Sequence, residues 1–151
     1  MEKDIPLLTA SDVELRIAQL QKTNQGIFAV LLAYKNSRVD MRILDECFGT
    51  MNWKREHTVI DGRLFCTVSV YDEKKQEWIS KQDVGVPSNT EATKGEASDA
   101  FKRACFNWKI GRELYSAPDI RFKLNDDEFF MDNNGKPKSY AKFYVGADMT
   151  Y

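Results

Sequence analysis

The sequence predicts an α+β fold: a three-stranded antiparallel β-meander packed against a long helix, preceded by a helix-strand-helix segment. Two observations lead there. Residues 51–86 hold three strand-like runs, the first two separated by Asp61-Gly62, the strongest short hairpin signal. Residues 88–115 then carry Ala97, Phe101, Ala104, Cys105 and Trp108 at i, i+3, i+4 spacing, which makes one apolar helix face.

Taken in order, Thr9 or Ser11 is placed to cap a first helix through DVELRIAQLQ, with Val13, Ile17 and Leu20 on its apolar side. KTNQG is a loop, and IFAVLLAY is a short buried strand ending in Tyr34. A second helix follows in NSRVDMRILDECFG, with Val39, Ile43 and Cys47 at spacing four and Gly49 closing it. In RLFCTVSVYD, Leu64, Cys66, Val68 and Val70 alternate with Phe65, Thr67, Ser69 and Tyr71, so one face is core and the other mixed. DEKKQ is a polar turn and EWISKQDVGV the third strand.

The long helix opens on Ser88 and Glu91, a capping box, and Gly111 is expected to end it. Its other face gathers Gly95, Asp99, Lys102, Phe106 and Lys109, with Arg103 on the flank. An aromatic ring between cations suits a phosphate backbone with stacked bases; it also suits a solvated face with Phe106 packed on a neighbour. Beyond Tyr115, Pro118, the run Asn125 to Glu128 and Asn134-Gly135 indicate loops and turns, with a small hairpin or edge elements and a strand in SYAKFYV. No linker or repeat interrupts residues 1–151, which reads as a single domain with 116–151 peripheral.

Composition bounds the function. Lys and Arg total 22 against 23 Asp and Glu, a net charge of −1, so a nucleic-acid footprint has to be a local patch. Cys47, Cys66 and Cys105 sit in apolar patterns and are expected to be reduced core residues of a cytoplasmic protein. With one histidine, His57, and no paired cysteines, zinc-finger and histidine-rich metal sites are excluded; the polar start and lack of a long apolar run predict neither signal peptide nor membrane span. No phosphate-cradling glycine loop, nucleophile elbow or metalloprotease motif is present, so neither a catalytic residue nor a cofactor is assigned. The acids Asp126, Asp127 and Glu128, with Asp132, are the rival site, as magnesium ligands of a nuclease.

Two blocks, YKNSRVDMRILDECFGTMNW and DVGVPSNTEATKGEASDAFKRACFNWKIGRELY, resemble the Rad-fifty-two type of single-strand annealing protein, which includes phage recombinases. The resemblance covers roughly residues 10–116, and KGEASDAFKRA is its most specific part. It implies a homo-oligomeric ring or filament that holds single-stranded DNA by its backbone and anneals complementary strands without ATP, in recombination or repair. Lys102 and Arg103 match the family's paired basic residues, Tyr34 a tyrosine near the same groove, and Lys22 a basic residue after the first helix. Phe106 stands where some members carry a third basic residue, which leaves stacking or subunit packing in place of an electrostatic contact. Lys109 and Arg112 extend the basic end, and Lys94 belongs to the signature near the buried side. A single-strand-binding protein or an exonuclease is the candidate helper, in a bacterial host's cytoplasm if the chain is phage-encoded. An accessory binder that coats DNA without pairing it is the blander alternative.

Overall fold

The computed structural model describes residues 4–87, 92–116 and 120–139. It is α+β, and its residues group into two compact units: Met1–Leu8 with Asn36–Arg112, and Thr9–Lys35 with Glu113–Tyr151. No helix among the described residues is long and apolar enough to cross a membrane.

The first unit contains helix α1 (Ser37–Phe48), strands β3 (Trp53–Ile60), β4 (Arg63–Asp72) and β5 (Glu77–Val84), and helix α2 (Ala92–Asn107). The meander is as expected, in the order β3-β4-β5, antiparallel throughout. Asp61 and Gly62 both take positive φ, 51° and 76°, the tight turn whose twist matches paired strands. Asn36 caps α1 by accepting the Arg38 N–H at 2.9 Å, and Gly49 closes it at φ 91°. Trp53 ties β3 back to α1, its indole N–H donating to Asp45 at 2.7 Å.

Cys66, Val68 and Val70 of β4 are buried against Ala100, Phe101, Ala104 and Cys105 of α2, with Ile43 and Leu44 of α1. Each large apolar side chain so enclosed contributes about 1.5–3 kcal/mol. Burial pushes the Cys66 thiol up to about 11, against the pull of the nearby Arg55 guanidinium, so it stays a protonated core group. The helix lies close where Ala100 and Ala104 are its contact residues. Gly85, just after β5, touches α2 so tightly that an added Cβ would collide with the Glu96 carbonyl. Polar ties complete the contact: His57 Nε2 donates to the Ala97 carbonyl at 3.0 Å, and Glu96 accepts the Leu64 N–H at 3.1 Å. The capping box expected at Ser88 and Glu91 lies outside the described residues.

The second unit overturns one expectation. DVELRIAQLQ is not a helix: Thr9 caps only the short 3-10 turn Ala10–Asp12, and the chain then runs extended as β1 (Glu14–Thr23). β1 forms a hairpin with β2 (Gly26–Tyr34), so the N-terminal order is strand-strand-helix. The reason is a register shift between Ile17 and Gln19. A bulged strand needs one extra residue to return to the same face, so Ile17 and Leu20 acquire a spacing of three that imitates a helix. Leu15, Ile17 and Leu20 pair opposite Ala33, Leu31 and Ala29 on the core face. After the short helix α3 (Glu113–Ser116), β6 (Ile120–Lys123) pairs with β2. β7 (Phe129–Met131) and β8 (Pro137–Ser139) form the small hairpin expected around Asn134-Gly135. Of the strand expected in SYAKFYV, only Ser139 is described.

Gly85→Ala is expected to lower unfolding stability by about 1–3 kcal/mol, the usual cost of overpacking, because the clash is with helix backbone. Denaturant unfolding checks this, and an unchanged midpoint would show that α2 has room to move away.

Candidate nucleic-acid interface

Sealing Ala100, Phe101, Ala104 and Cys105 against the core turns Lys102 and Phe106 to the other side of α2, as the periodicity predicts. The stripe is not fully open to water: Asp99, Lys102, Arg103 and Phe106 are all half-buried, and Lys109 is the first exposed member. Arg103 is committed to a local role, its Nε lying 2.8 Å from Asp99 Oδ2. Asp99 also accepts the Val86 N–H at 2.9 Å, so this pair fastens the helix to the segment after β5. An i,i+4 pair of this kind contributes about 0.3–0.5 kcal/mol.

The helix ends differently from the sequence expectation. Lys109, not Gly111, takes the left-handed position, with φ 73°. Its N–H donates to the Phe106 carbonyl at 2.9 Å and the Ile110 N–H to the Cys105 carbonyl at 3.1 Å, the two bonds of a Schellman cap. Ile110 is completely buried, which locks the cap from below. Gly111 is also left-handed, at φ 74°, but follows the end already made. Arg112 then folds back: its Nε donates to the Phe106 carbonyl at 2.6 Å and an Nη to the Asn107 carbonyl at 2.9 Å. A helix C-terminus carries about half a negative charge, which would repel phosphate. Arg112 covers that charge, so this candidate site residue is structural as well as cationic.

An open groove of about 780 Å³ runs beside this cap. Five cations line it: Lys74 and Lys75 from the β4–β5 turn, Lys81 from β5, and Lys109 and Arg112 from the helix end. Its acids are Asp4, Asp72 and Glu73. Asp72 is already used, accepting the Lys74 N–H at 3.0 Å. Trp108 supplies an aromatic wall; its indole N–H donates to the Val68 carbonyl at 2.9 Å, and Lys81 Nζ lies 5.0 Å from its ring centre. Asn107 fixes the helix end to β5 through the Gln82 carbonyl at 3.0 Å. The arrangement can hold a phosphate chain beside a partly exposed ring.

Tyr34 and Lys22 belong to the second unit and are not brought together there. Tyr34 pairs with Glu14 at one end of the β1–β2 hairpin and Lys22 with Ile27 at the other, about 23 Å apart along β2. Burial, then a hydrogen bond to Glu14, holds the Tyr34 phenol above its usual range. Lys22 is exposed and projects on the core-side face at the strand's end.

Lys74, Lys75, Lys81 and Trp108 were not assigned to a site from sequence. The lysines looked like turn and strand-surface residues, and Trp108 like core; only a fold that folds the β4–β5 turn toward the helix end unites them. Two acids of the rival site, Glu128 and Asp132, accept turn N–H groups. Glu128 accepts the Asn125 N–H at 2.9 Å, and Asp132 accepts the N–H groups of Asn134 and Lys136 at 2.9 and 2.8 Å. Among the described residues no three His, Cys, Asp or Glu side chains are grouped to hold a metal ion. No known family model matches the chain, and no curated protein matches it in sequence.

Arg112→Ala should destabilise the protein by about 1 kcal/mol through lost carbonyl bonds. Lys109→Gly should raise the melting temperature, because glycine adopts the left-handed cap without strain. Thermal unfolding of both variants checks the cap: a stabilising Arg112→Ala or a destabilising Lys109→Gly would contradict it.

Proposed function

We propose that the protein binds single-stranded DNA at the C-terminal end of α2 and in the adjoining basic groove, and that an oligomer of it anneals complementary strands without ATP. The groove carries this reading: five cations against three acids, set beside Trp108, in a chain whose net charge is −1. Charge concentrated in this way attracts a polyanion locally, where the whole molecule would not. The cations would track phosphates whatever the sequence, and a ring face accepts any base. The resemblance of KGEASDAFKRA to the Rad-fifty-two type of annealing protein, together with a meander followed by a long helix, agrees with that chemistry. Lys102 would lead the backbone along the helix toward Lys109, about 6 Å along the axis to Phe106 and then past the cap. Arg103, engaged by Asp99, contributes less than the sequence pairing suggests.

Oligomerisation fits the edges of the meander. Among the described residues β3 and β5 each leave one backbone edge unpaired, and β3 exposes Val59 and Ile60 at its end, although Arg55 turns inward over Phe101. Pairing of β3 with β5 of the next copy is head-to-tail, which makes a ring if it closes and a filament if it does not. In the rival acidic run, Glu128 and Asp132 each give one oxygen to turn N–H groups.

The test is a salt titration of oligothymidylate binding. Lys81→Ala and Lys109→Ala should each flatten the log–log slope by roughly 0.7, while Arg103→Ala should change it by less. Wild-type slopes in both groove variants would remove the groove from the DNA path. Light scattering of the same samples should give a multiple of the chain mass; a monomer with and without DNA would remove the oligomer.

A further inference from the structure

The second unit has a surface that the groove does not use. In the β1-β2-β6 sheet, Leu15, Ile17 and Leu20 share one face with Ile27, Ala29 and Leu31, and Phe122 of β6 joins them. The other face is aromatic and cationic. Its rings are Phe28 and Tyr34 of β2, and its cations are Arg16 of β1 with Arg121 and Lys123 of β6.

The three cations are exposed and both rings half-buried. The Arg121 guanidinium lies over the Phe28 ring at 4.2 Å, held there by its Nε donating to Gln21 Oε1 at 3.1 Å. Arg16 lies 5.8 Å from the Tyr34 ring centre. Lys123 crosses Gly26, where an added Cβ would press against its stem, so glycine lets this side chain lie flat on the sheet. The acid on this face is Glu14, and it accepts the Tyr34 hydroxyl. Leu32, between the two rings on β2, is 43% exposed.

A guanidinium laid over a ring offers two recognition elements of its own: N–H donors at its edge for phosphate, and an outward plane, backed by the ring, for a base. An acidic peptide would satisfy the cations but brings planar groups only where it carries aromatic side chains. A duplex keeps its base faces covered. A single strand offers both. Phe28 and Tyr34 stand about 20 Å apart along β2, so one base cannot bridge them and a strand has to run along the sheet between them.

We infer that the open face of the β1-β2-β6 sheet is a further single-stranded DNA surface, with bases stacked on the Arg121–Phe28 pair and on Tyr34 and phosphates held by Arg16, Arg121 and Lys123. This rests on the proposal that single-stranded DNA is the protein's partner. It gives Tyr34, singled out by resemblance alone, a place within a surface whose other members had no assigned role.

The test uses the full chain with two fluorescent probes, oligothymidylate and an abasic strand of equal length. The triple variant Arg16→Ala, Arg121→Ala, Lys123→Ala touches exposed side chains and should fold normally. It should flatten the salt slope by roughly 2, about 0.7 for each cation. Phe28→Leu keeps an apolar side chain and removes the ring. It should weaken oligothymidylate binding about 5- to 150-fold and leave the abasic strand unaffected. A triple variant with the wild-type slope, in a protein that still loses binding through Lys81→Ala, would overturn this surface and leave the groove standing. Equal losses of both probes in Phe28→Leu would overturn stacking. A wild-type protein that binds neither probe would remove the groove and this surface together.

Discussion

The first unit depends on how closely α2 can lie on the central strand β4. Ala100 and Ala104 are completely buried at that contact, and Gly85 removes the one Cβ that would hold the helix away. Close approach has consequences beyond the core. It lets Trp108 reach the Val68 carbonyl, which fixes the final turn of the helix over β4. The cap at Lys109 and Arg112 is thereby brought to the same groove as the β4–β5 turn, and cations distant in sequence come to line one channel. A bulkier contact would move the helix end and disperse them.

The same pairing of cation and ring recurs in both units. Lys81 faces Trp108 in the first, and Arg121 and Arg16 face Phe28 and Tyr34 in the second. Such pairs contribute about 0.5–1 kcal/mol at exposed sites, too little to shape the fold. Their effect is positional: a long flexible side chain is laid flat over a ring and kept near the surface where an anion would arrive. With an overall charge of −1, attraction has to be local, and salt screens it within about 10 Å at moderate ionic strength.

The meander, α1 and α2 were legible because their signals are local. Asp61-Gly62 dictates a tight turn, Asn36 and Gly49 bound α1, and the apolar stripe of α2 repeats without interruption. β1 was misread because a bulge gave strand residues the spacing of a helix, and the deciding factor was the partner strand IFAVLLAY. The end of α2 was misplaced because glycine is the usual left-handed residue, whereas here two backbone bonds and a buried Ile110 hold Lys109 there. Of the candidate site, Lys102, Phe106, Lys109 and Arg112 were visible as a stripe and its basic extension. Lys74, Lys75 and Lys81 could not be seen with them, since sequence carries no sign of which turn faces a helix end. The pairing of Arg103 with Asp99 was foreseeable from i,i+4 spacing.

The most direct test of annealing is to mix complementary donor- and acceptor-labelled strands with the protein, without ATP, and follow energy transfer. The proposed function predicts pairing faster than in protein-free controls, with magnesium neither required nor leading to strand cleavage. Pairing at the protein-free rate at every protein-to-DNA ratio would contradict the annealing claim.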